Sequence, residues 1–475
     1  MIQPTLEEAR KLAEGHTLVP IMTELYADLK TPVEVLRAIR AKGRESYILE
    51  SAPGGDNWGR YTFLGYGPVM EISGIGDTVT ITQKNGTETR QGHPHAILKE
   101  LTGQYKSPSI DYLPPFTGGF VGYFAYEYIR CVEPTLQLTD RDEIGSHDFR
   151  LMLFDKVVAF DHLRQKIQLV AHIPAKNLDR SYHEGVRVLK DMEELITSPD
   201  PGKAPSPGPA PDFTPSFSQD AFCLAVETVK NHIFEGDIFQ CVPSVRFQSP
   251  YDGDLLQTYR VLRTTNPSAY MFCIQFKDME LAGASPETLV SLKNGAVCTY
   301  PLAGTCPRTP DDAETNRFID QLLRDEKELA EHDMLVDLGR NDLGKICEFG
   351  SVQVEEYRGV KKLSHVCHIA SKVTGRLAKG FGALDVMAAV LPAGTLSGAP
   401  KKRACEIIDS VENTKRGAYG GAVGYIDFTG GMDLCLGIRM AVLKDRQVYV
   451  QAGAGIVADS VPEKEYQECL RKADA

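Results

Sequence analysis

RGAYGGAVGYIDF, at residues 416–428, is the stretch that decides the fold, because closely spaced glycines lead into a short apolar run. Two similar segments follow it, GIRMAVL at 437–443 and VYVQAGAGIV at 448–457, and helical patterns lie on either side of the group. Strands with glycine-rich turns, interleaved with helices but without regular alternation, favour an α+β fold over a doubly wound sheet. We therefore predict a large antiparallel β-sandwich core flanked by helices.

A proline-rich connector divides the chain into two unequal parts. The stretch SPDPGKAPSPGPAPDFTPSFS at 198–218 alternates Pro with Ser, Ala and Gly, which is typical of an extended linker and not of helix or sheet. We predict an N-terminal region at 1–197, a connector at 198–216 and a C-terminal region at 217–475. The N-terminal portion is expected to be interleaved with the sandwich.

Local patterns predict individual elements on both sides of the connector. Before it, strand-like runs that indicate antiparallel hairpins lie at 69–73, 78–82, 151–160 and 166–172, and helices are predicted at 33–41 and 182–196. After it, Ser218 can cap a helix that ends near residue 234. A strand at 238–247 and a long helix at about 315–338 are predicted next.

The composition argues against several functional classes. With Lys+Arg 52 and Asp+Glu 64, the net charge of -12 disfavours general attraction to nucleic acid or anionic membranes. No apolar stretch is long enough to span a bilayer, so we expect a cytoplasmic protein, or one that enters an organelle. The 11 cysteines are scattered singly, without CxxC or zinc-type spacing, and are interpreted as reduced packing residues.

Two acidic pairs far apart in the sequence are candidates for a metal site. Glu328 with Glu331, and Glu465 with Glu468, are each three residues apart in a helical pattern, so each pair faces one way. Like charges on one helix turn repel unless a cation lies between them. Oxygen ligands without cysteine or histidine favour magnesium or calcium. The alternative is two solvated helix faces.

Other polar features leave their roles open at this stage. Glycine-rich turns at 304–305, 394–398 and 453–455 expose N–H groups that can hold carboxylate or phosphate oxygens, but they lack Walker and dinucleotide-binding spacing. Arg439 alternates with apolar residues in an apparent strand, where it either forms a structural ion pair or recognises a carboxylate. His368 is either a packing residue or a catalyst.

Longer strings from about residue 217 to the end resemble the chorismate-binding enzymes, and among them the large components of anthranilate synthases. The strings that carry the resemblance include EGDIFQCVPSVRF at 235–247, GASPETLV at 283–290, ELAEHDMLVDLGRNDLG at 328–344, LPAGTLSGAPKKRACEIID at 391–409 and QAGAGIVADSVPEKEYQE at 451–468.

This resemblance implies a magnesium cofactor and a substrate site for chorismate. Glu331 and Glu468 would hold the ion, with Glu328 and Glu465 near it, and the ion would bridge to the ring carboxylate. The residues implied in holding the enolpyruvyl carboxylate are Tyr419, Arg439 and the backbone of Gly453, Ala454 and Gly455. Gly304 and Thr305 would line the ring site.

The resemblance also implies catalytic roles. His368 would move protons during pyruvate loss, Glu287 would be the acid for the departing hydroxyl, and Thr395 and Lys472 would be supporting contacts. Relatives that add water, or that make aminodeoxychorismate, carry a lysine where this chain has Gln240 or Ala303, respectively. Neither residue can act as a base or nucleophile, so ammonia is the expected nucleophile.

The implied activity is the conversion of chorismate and ammonia to anthranilate and pyruvate, the first step of tryptophan biosynthesis. The ammonia is expected from glutamine through a separate glutaminase subunit, which makes the protein part of a hetero-oligomer. Three alternatives remain: a synthase that stops at aminodeoxyisochorismate, an isochorismate or salicylate synthase, and a non-catalytic tryptophan-binding regulator.

The N-terminal region resembles the regulatory portion of the family, in which two strings bind feedback tryptophan. The implied inhibitor residues are Glu50, Ser51, Ala269, Tyr270 and Met271. Ala269 replaces a proline of the family pattern, and Pro243 and Cys306 also depart from it. Loss of that proline removes a constraint on φ, which leaves the strength of tryptophan inhibition open. Pro243 predicts a sheet edge or a bulge.

Overall fold

The architecture is taken from a computed structural model that describes residues 2–43, 45–51, 59–198, 211–362 and 366–474. None of the helices in these ranges combines the length and the hydrophobicity that a bilayer-crossing helix needs.

The α-helices in the described ranges are α1 Leu6–Leu12, α2 Pro32–Arg40, α3 Pro94–Thr102, α4 Leu178–Thr197, α5 Gln219–Phe234, α6 Leu255–Thr265, α7 Asp312–Leu322, α8 Glu326–Gly344, α9 Ala383–Val390, α10 Lys401–Glu412 and α11 Pro462–Asp474. A 3-10 helix covers Tyr126–Cys131. Several helices begin at side-chain caps, and Ser218 caps α5 by accepting a hydrogen bond from the N–H of Ala221, as predicted.

The strands are β1 Leu18–Tyr26, β2 Ser46–Glu50, β3 Tyr61–Tyr66, β4 Met70–Ile75, β5 Thr78–Gln83, β6 Gly86–Gln91, β7 Gly119–Phe124, β8 Phe149–Phe154, β9 Lys156–Asp161, β10 Lys166–Pro174, β11 Thr214–Pro215, β12 Gln240–Cys241, β13 Ser244–Pro250, β14 Tyr270–Gln275, β15 Met279–Ser285, β16 Thr288–Lys293, β17 Ala296–Thr299, β18 Leu302–Pro307, β19 Gln353–Lys362, β20 Val366–Arg376, β21 Gly398–Ala399, β22 Ala422–Asp427, β23 Met432–Leu436, β24 Met440–Lys444 and β25 Gln447–Gly453.

Most of these strands form two large antiparallel sheets. The first sheet has the order β1-β10-β9-β3-β2-β14-β15-β24-β25-β13-β11. The second has the order β18-β20-β17-β16-β23-β22-β7-β8-β4-β5-β6, with β19 paired to β20. Strands from both sides of the connector therefore lie in each sheet, which explains why the N-terminal portion is interleaved.

The two sheets pack face to face. Tyr47 and Phe272 of the first sheet share a buried apolar cluster with Tyr123 and Phe154 of the second. The rings of Tyr47 and Phe154 meet edge to face, with centroids 4.7 Å apart. Alternating strand residues fill this interior, which is the arrangement of a sandwich core. The predicted α+β sandwich is confirmed.

Helices cover the outer faces of both sheets. Residues of α1, α2, α4 and α6 belong to the apolar cluster outside the first sheet. Residues of α3, α8 and α9 belong to the cluster outside the second sheet. Both the interior and the outer faces of the sheets are buried. Polar side chains can therefore gather at the strand ends and in the connecting loops.

The prediction that the connector forms no sheet was wrong for its C-terminal end. Thr214 and Pro215 pair with Gln248 and Phe247 of β13 and form the last strand of the first sheet. Proline is tolerated there because an edge strand leaves one side of its backbone without a partner. Residues 199–210 of the connector lie outside the described ranges, and the division into three regions stays a prediction.

Three elements predicted as continuous are broken. The run predicted at 151–160 is two strands, β8 in the second sheet and β9 in the first, separated at Asp155. The long helix predicted at 315–338 is two helices, because the Asp325 carboxylate caps the N–H groups of Lys327 and Glu328 and starts α8. The strand predicted at 238–247 is interrupted at Pro243, between β12 and β13, as the missing N–H of proline suggested.

Candidate active site and effector cavity

Helices α8 and α11 bring the two acidic pairs together. Burial raises the pKa of Glu328, and the charges of Glu331 and Glu468 raise it further. Burial likewise raises the pKa of Glu465, with Glu468 acting in the same direction. A Glu468 charge that acts on Glu328 requires the two helices to lie close to each other. The two pairs, which are far apart in the sequence, therefore lie within electrostatic range of each other, and we call the space between them the acidic pocket.

The helix that carries Glu328 and Glu331 is anchored to the second sheet. His332, fully buried, lies 2.6 Å from the Ser371 hydroxyl of β20 through its Nε2 atom. Asp333 accepts hydrogen bonds from Tyr357 and from the guanidinium of Arg358 on β19. These contacts anchor α8 to β19 and β20.

The acidic pocket has the ligand chemistry of a hard divalent cation, although its oxygens are spread out. In the described ranges, one group of three or more His, Cys, Asp or Glu side chains has its ligand atoms within 4.8 Å of one another. That group is His232, Glu235 and Asp237, and it contains none of the four glutamates of the acidic pocket. Lys472 instead pairs with Glu468 at 2.7 Å. A site made only of carboxylates, whose charges repel one another, fits magnesium. The four glutamate side chains would have to move closer together to share one ion.

Arg439 lies in a turn and not in a strand, which corrects the sequence interpretation. It falls between β23 and β24 with φ at 47°, a left-handed conformation that is uncommon for a non-glycine residue. Its carbonyl accepts a hydrogen bond from the N–H of Ala284. Burial lowers the pKa of Arg439, and no ion pair to it is found in the described part of the chain. The guanidinium is therefore available to an anion.

The turn at 453–455 lies against Tyr419 and Lys472. A side chain at Gly453 would place its Cβ 2.8 Å from the Pro243 carbonyl oxygen and 2.9 Å from the Tyr419 hydroxyl, so only glycine fits. Lys472 donates a hydrogen bond of 3.1 Å to the Gly453 carbonyl. The N–H of Ala454 already donates to Pro243, which removes it as a free donor for a carboxylate.

His368, Thr305 and Gly304 form a hydrogen-bonded group on β18 and β20. The Nδ1 atom of His368 lies 3.0 Å from the Thr305 hydroxyl and 3.2 Å from the Gly304 carbonyl oxygen. Because a carbonyl only accepts, Nδ1 carries the proton and Nε2 keeps its lone pair. Burial lowers the pKa of His368, which favours the neutral base at physiological pH. A Cβ on Gly304 would lie 3.2 Å from a Glu328 oxygen, so this group adjoins the acidic pocket.

Glu287 lies in the turn between β15 and β16 and has the chemistry of a proton donor. Burial raises the pKa of Glu287 to about 7. A hydrogen bond from Thr395 and the charges of Arg439 and Lys472 act in the opposite direction and lower it. The Thr395 hydroxyl is 3.0 Å from the Glu287 carboxylate. Both residues line a small cavity of about 50 Å³. The charges of Arg439 and Lys472 both act on Glu287, which links it to the groups described above.

The residues implied in metal binding, substrate binding and catalysis are thus linked to one another by direct contacts and charge interactions. Two features were not anticipated. Gln240 donates to Glu331 at 3.1 Å, and Lys361 on β19 is the strand partner of His368. Burial lowers the pKa of Lys361 to about 8. The Lys361-Lys362 pair is typical of a solvated surface, so the sequence contained no signal for this position.

The five implied inhibitor residues line a second cavity, of about 830 Å³. Strands β2 and β14 are paired, with Glu50 opposite Met271, which brings the two strings together. Glu50 accepts hydrogen bonds from Arg263 at 2.7 and 3.0 Å and from the Tyr259 hydroxyl. The buried Ser51 hydroxyl has no partner among the described residues. The cavity therefore has both apolar walls and polar groups for a small amphiphile.

The structure also shows where Ala303, Cys306 and the other cysteines lie. Ala303 lies in β18 opposite Ile369, and Cys306 lies opposite Cys367 on the same pair of strands. Burial raises the pKa of Cys306, which makes it a poor nucleophile. Each of the 11 cysteines is a free thiol, as predicted.

Comparison with known proteins gives consistent matches. The sequence profile described as chorismate binding enzyme matches residues 45–475. Anthranilate synthase component 1 of Acetivibrio thermocellus is 40% identical, over 100% of this chain and 98% of that protein. The same component of Aquifex aeolicus (strain VF5) is 42% identical, over 99% of this chain and 96% of that protein. The crystal structure of anthranilate synthase component I from Streptococcus pneumoniae TIGR4 has a TM-score of 0.78 and 40% identity, covering 90% of this chain and 93% of that chain.

Proposed function

Because the chain belongs to the family of chorismate-binding enzymes, we propose that it is the synthase component of an anthranilate synthase. It converts chorismate and ammonia to anthranilate and pyruvate, the first step of tryptophan biosynthesis. The observation that carries this proposal is a single site with an acidic pocket, a free guanidinium, a neutral histidine base and a carboxyl group that titrates near neutral pH.

Chorismate is a dianion, so its binding requires positive charge at two ends. Glu331 and Glu468, with Glu328 and Glu465 beside them, would hold a magnesium ion, which when bound supplies positive charge for the ring carboxylate. At the other end, Arg439 and the Tyr419 hydroxyl hold the enolpyruvyl carboxylate. The left-handed backbone of Arg439 is consistent with a binding role, since such strain collects at functional sites.

Amination is the first chemical step. The lone pair of ammonia forms a bond to the ring carbon beside the carboxylate-bearing carbon, the ring double bonds shift, and the C–O bond of the hydroxyl breaks. Glu287 gives the departing hydroxyl a proton, so water leaves. The new ammonium group releases one proton, which balances the one that Glu287 supplied.

Loss of pyruvate is the second step. Neutral His368 removes the proton from the ring carbon that carries the amino group, and the electron pair enters the ring as the enolpyruvyl C–O bond breaks. The methylene carbon of the leaving enolpyruvate takes up a proton and becomes the methyl group of pyruvate. The ring becomes aromatic, which drives this step.

The partners and control of the enzyme follow from the same proposal. Ammonia comes from glutamine through a separate glutaminase subunit, and free ammonium at raised pH replaces that subunit. The 830 Å³ cavity binds tryptophan as a feedback inhibitor, with Glu50, Ser51, Tyr270 and Met271 as its contacts and Ala269 in its wall. The enzyme acts in the cytoplasm.

One assay tests the proposal directly. Purified protein is supplied with chorismate, magnesium and an ammonium salt, anthranilate is followed by its fluorescence, and pyruvate is measured separately. We expect equal amounts of both products, no turnover after magnesium is chelated, and inhibition by tryptophan. Release of isochorismate would contradict ammonia as the nucleophile. Accumulation of an aminated ring that retains its enolpyruvyl group would contradict the second step.

A further inference from the structure

Two cysteines lie opposite each other, next to the proposed catalytic base. Cys306 of β18 pairs with Cys367 of β20 in the antiparallel ladder, one position beyond the pair formed by Thr305 and His368. Because successive residues of a strand point to opposite faces, the two thiols face away from the Thr305 hydroxyl and the His368 ring. Among the strands that the structure describes, no other two cysteines occupy opposite positions.

The two thiols are buried together. Cys306 is 6% exposed and Cys367 is 0% exposed, and both belong to an apolar cluster with Ile319 and Leu322 of α7. Burial raises the pKa of Cys306, and the neighbouring Cys367 thiol raises it further, which requires the two sulfur atoms to be close. Both residues are free thiols. A raised pKa leaves little of the reactive thiolate, so the pair stays reduced in the absence of an oxidant.

The backbone spacing fits a disulfide bond. Opposite residues of an antiparallel ladder have Cα atoms about 4.5 or about 5.5 Å apart, and disulfides join residues whose Cα atoms are about 4.4–6.8 Å apart. Cys306 is the last but one residue of β18, and Cys367 is the second residue of β20. Strand ends open locally more easily than strand centres, which gives a small oxidant access to the buried sulfur atoms.

We propose that Cys306 and Cys367 form a reversible disulfide bond when hydrogen peroxide oxidises them, and that this bond lowers catalytic activity. The Cys306 thiolate attacks one peroxide oxygen and the O–O bond breaks, which gives a sulfenic acid and a hydroxide that takes up the Cys306 proton. The Cys367 thiolate then attacks the sulfenic sulfur, the S–S bond forms, and the hydroxide that leaves takes up the Cys367 proton. Two thiols and one peroxide thus give one disulfide and two waters. Disulfides in the cytoplasm are typically transient and respond to redox state.

The register of the ladder explains how the bond reaches the catalytic group. Gly304 is an extra residue between the pairs Ala303–Ile369 and Thr305–His368, a bulge whose φ is 69°. A bulge increases the local twist, whereas a disulfide at the next pair restricts how the two strands twist. The Nδ1 atom of His368 contacts the Thr305 hydroxyl and the Gly304 carbonyl oxygen, both at this bulge. A change in twist therefore displaces the imidazole. The effect on activity rests on the proposed function, and the disulfide itself does not.

Peptide mapping tests the disulfide without reference to activity. The reduced protein is treated with hydrogen peroxide, the remaining thiols are alkylated, and the digest is analysed by mass spectrometry without a reducing agent. We expect a linked pair of peptides that contains Cys306 and Cys367, and its disappearance after treatment with dithiothreitol. If other cysteines become oxidised while this linked pair does not form, the proposal is wrong.

The activity of the same samples tests the effect on catalysis. We expect oxidation to lower kcat for anthranilate formation by about tenfold or more, because a positioned base contributes about 10²–10⁴-fold and the disulfide displaces it. Dithiothreitol should restore the rate. Cys306→Ser keeps the size of the side chain but cannot form the bond, so this variant should retain its activity in peroxide.

The matched control is Cys298→Ser on β17 of the same sheet. Cys298 lies opposite Ser291 and Thr374, not opposite a cysteine, so this variant should lose activity in peroxide as the unmodified enzyme does. Equal loss of activity in Cys306→Ser would refute the link between the disulfide and catalysis. If Cys306→Ser does not fold, Cys367→Ser decides by the same measurements. A protein that forms the disulfide but makes no anthranilate contradicts the proposed function and supports the disulfide.

Discussion

The chemistry of Glu287 depends on its neighbours more than on its residue type. A glutamate in water is almost fully ionised at neutral pH, whereas burial raises the pKa of Glu287 to about 7. The Thr395 hydroxyl and the charges of Arg439 and Lys472 oppose that rise. A substantial protonated fraction near neutral pH follows, and it gives the site an acid of suitable strength.

Substitution of Thr395 by Val tests this balance. Activity that needs protonated Glu287 should fall as pH rises through about 7. The Thr395 hydrogen bond stabilises the ionised carboxylate, so its removal raises the pKa of Glu287 and moves this limb of the pH–rate profile to higher pH. The measurement is kcat/KM for chorismate across the pH range at saturating ammonium. Thr395→Ser keeps the hydroxyl and should leave the limb in place; a shift of the Val variant to lower pH would contradict the assignment.

Glu331→Gln tests the metal assignment at the same scale. Replacing one negative ligand by a neutral amide should lower kcat/KM by about 100-fold or more and weaken activation by magnesium, because the ring carboxylate loses its counter-charge. Anthranilate fluorescence is recorded over a magnesium titration, and circular dichroism verifies folding. The control is Asp337→Asn on the same helix, where the acidic group is exposed and pairs with Arg340. Equal activity of Glu331→Gln and the unmodified enzyme at limiting magnesium would remove Glu331 from the site.

At the level of elements, the start of α8 determines where the acidic pair lies. Helix α7 ends at Leu322, and the Asp325 cap begins a new helix that carries Glu328 in its first turn. The carboxylate accepts from the N–H groups of Lys327 and Glu328 at 3.0 and 3.3 Å. The first turn that carries Glu328 is therefore held by one side chain.

Asp325→Ala should loosen that turn. The expected loss in the free energy of unfolding is about 1 kcal/mol, typical of an N-cap, together with a higher magnesium concentration for half-maximal activity. Chemical denaturation and a magnesium titration measure the two effects. Asp311→Ala removes the corresponding cap of α7, where Asp311 accepts from Ala313. This control should lose similar stability with unchanged magnesium activation, and the same magnesium shift in both variants would argue against a local role for Asp325.

At the scale of the whole molecule, the Tyr270 side chain connects the large cavity with the candidate active site. Tyr270 lies in β14 of the first sheet and lines the 830 Å³ cavity. Its hydroxyl is 2.9 Å from Asp433 and 2.9 Å from Thr288, both in the second sheet. Thr288 directly follows Glu287. We therefore expect a ligand that displaces Tyr270 to shift the segment that carries Glu287, the proposed proton donor.

Tyr270→Phe should uncouple tryptophan from catalysis while keeping the ring in the cavity wall. We expect kcat within about twofold of the unmodified enzyme and a weaker inhibition by tryptophan, by about fivefold or more, because the hydroxyl contacts to the second sheet are gone. Calorimetry measures how tightly tryptophan binds, and inhibition curves measure its effect on activity. Comparison of the two separates a loss of binding from a loss of coupling between the cavity and catalysis. Tyr425→Phe in the same cavity is the matched control. Unchanged inhibition in Tyr270→Phe would rule out this connection.

Much of the fold and of the site was predictable because the signals are local. The hairpin at 69–82 appeared as β4 and β5, and the helix capped by Ser218 appeared as α5. The cap at Asp325 and the turn at Arg439 were missed, since a helical or strand-like pattern continues through both positions. At Arg439, the turn places the carbonyl where it accepts a hydrogen bond from the distant Ala284 N–H, a contact that the local pattern does not contain.

The sequence by itself determined the types and spacing of the reactive groups: two acidic pairs, one arginine among apolar residues, and Gln240 and Ala303 in place of lysine. Only the tertiary structure decided their distances and ionisation states. Glu331 and Gln240 are 91 positions apart in the chain, yet their side chains are in contact. The pKa of Glu287 depends on its burial and on Thr395, Arg439 and Lys472, which are distant from it in the sequence. Electrostatic energy depends on separation in space and on burial, and neither quantity can be read from the order of residues along the chain.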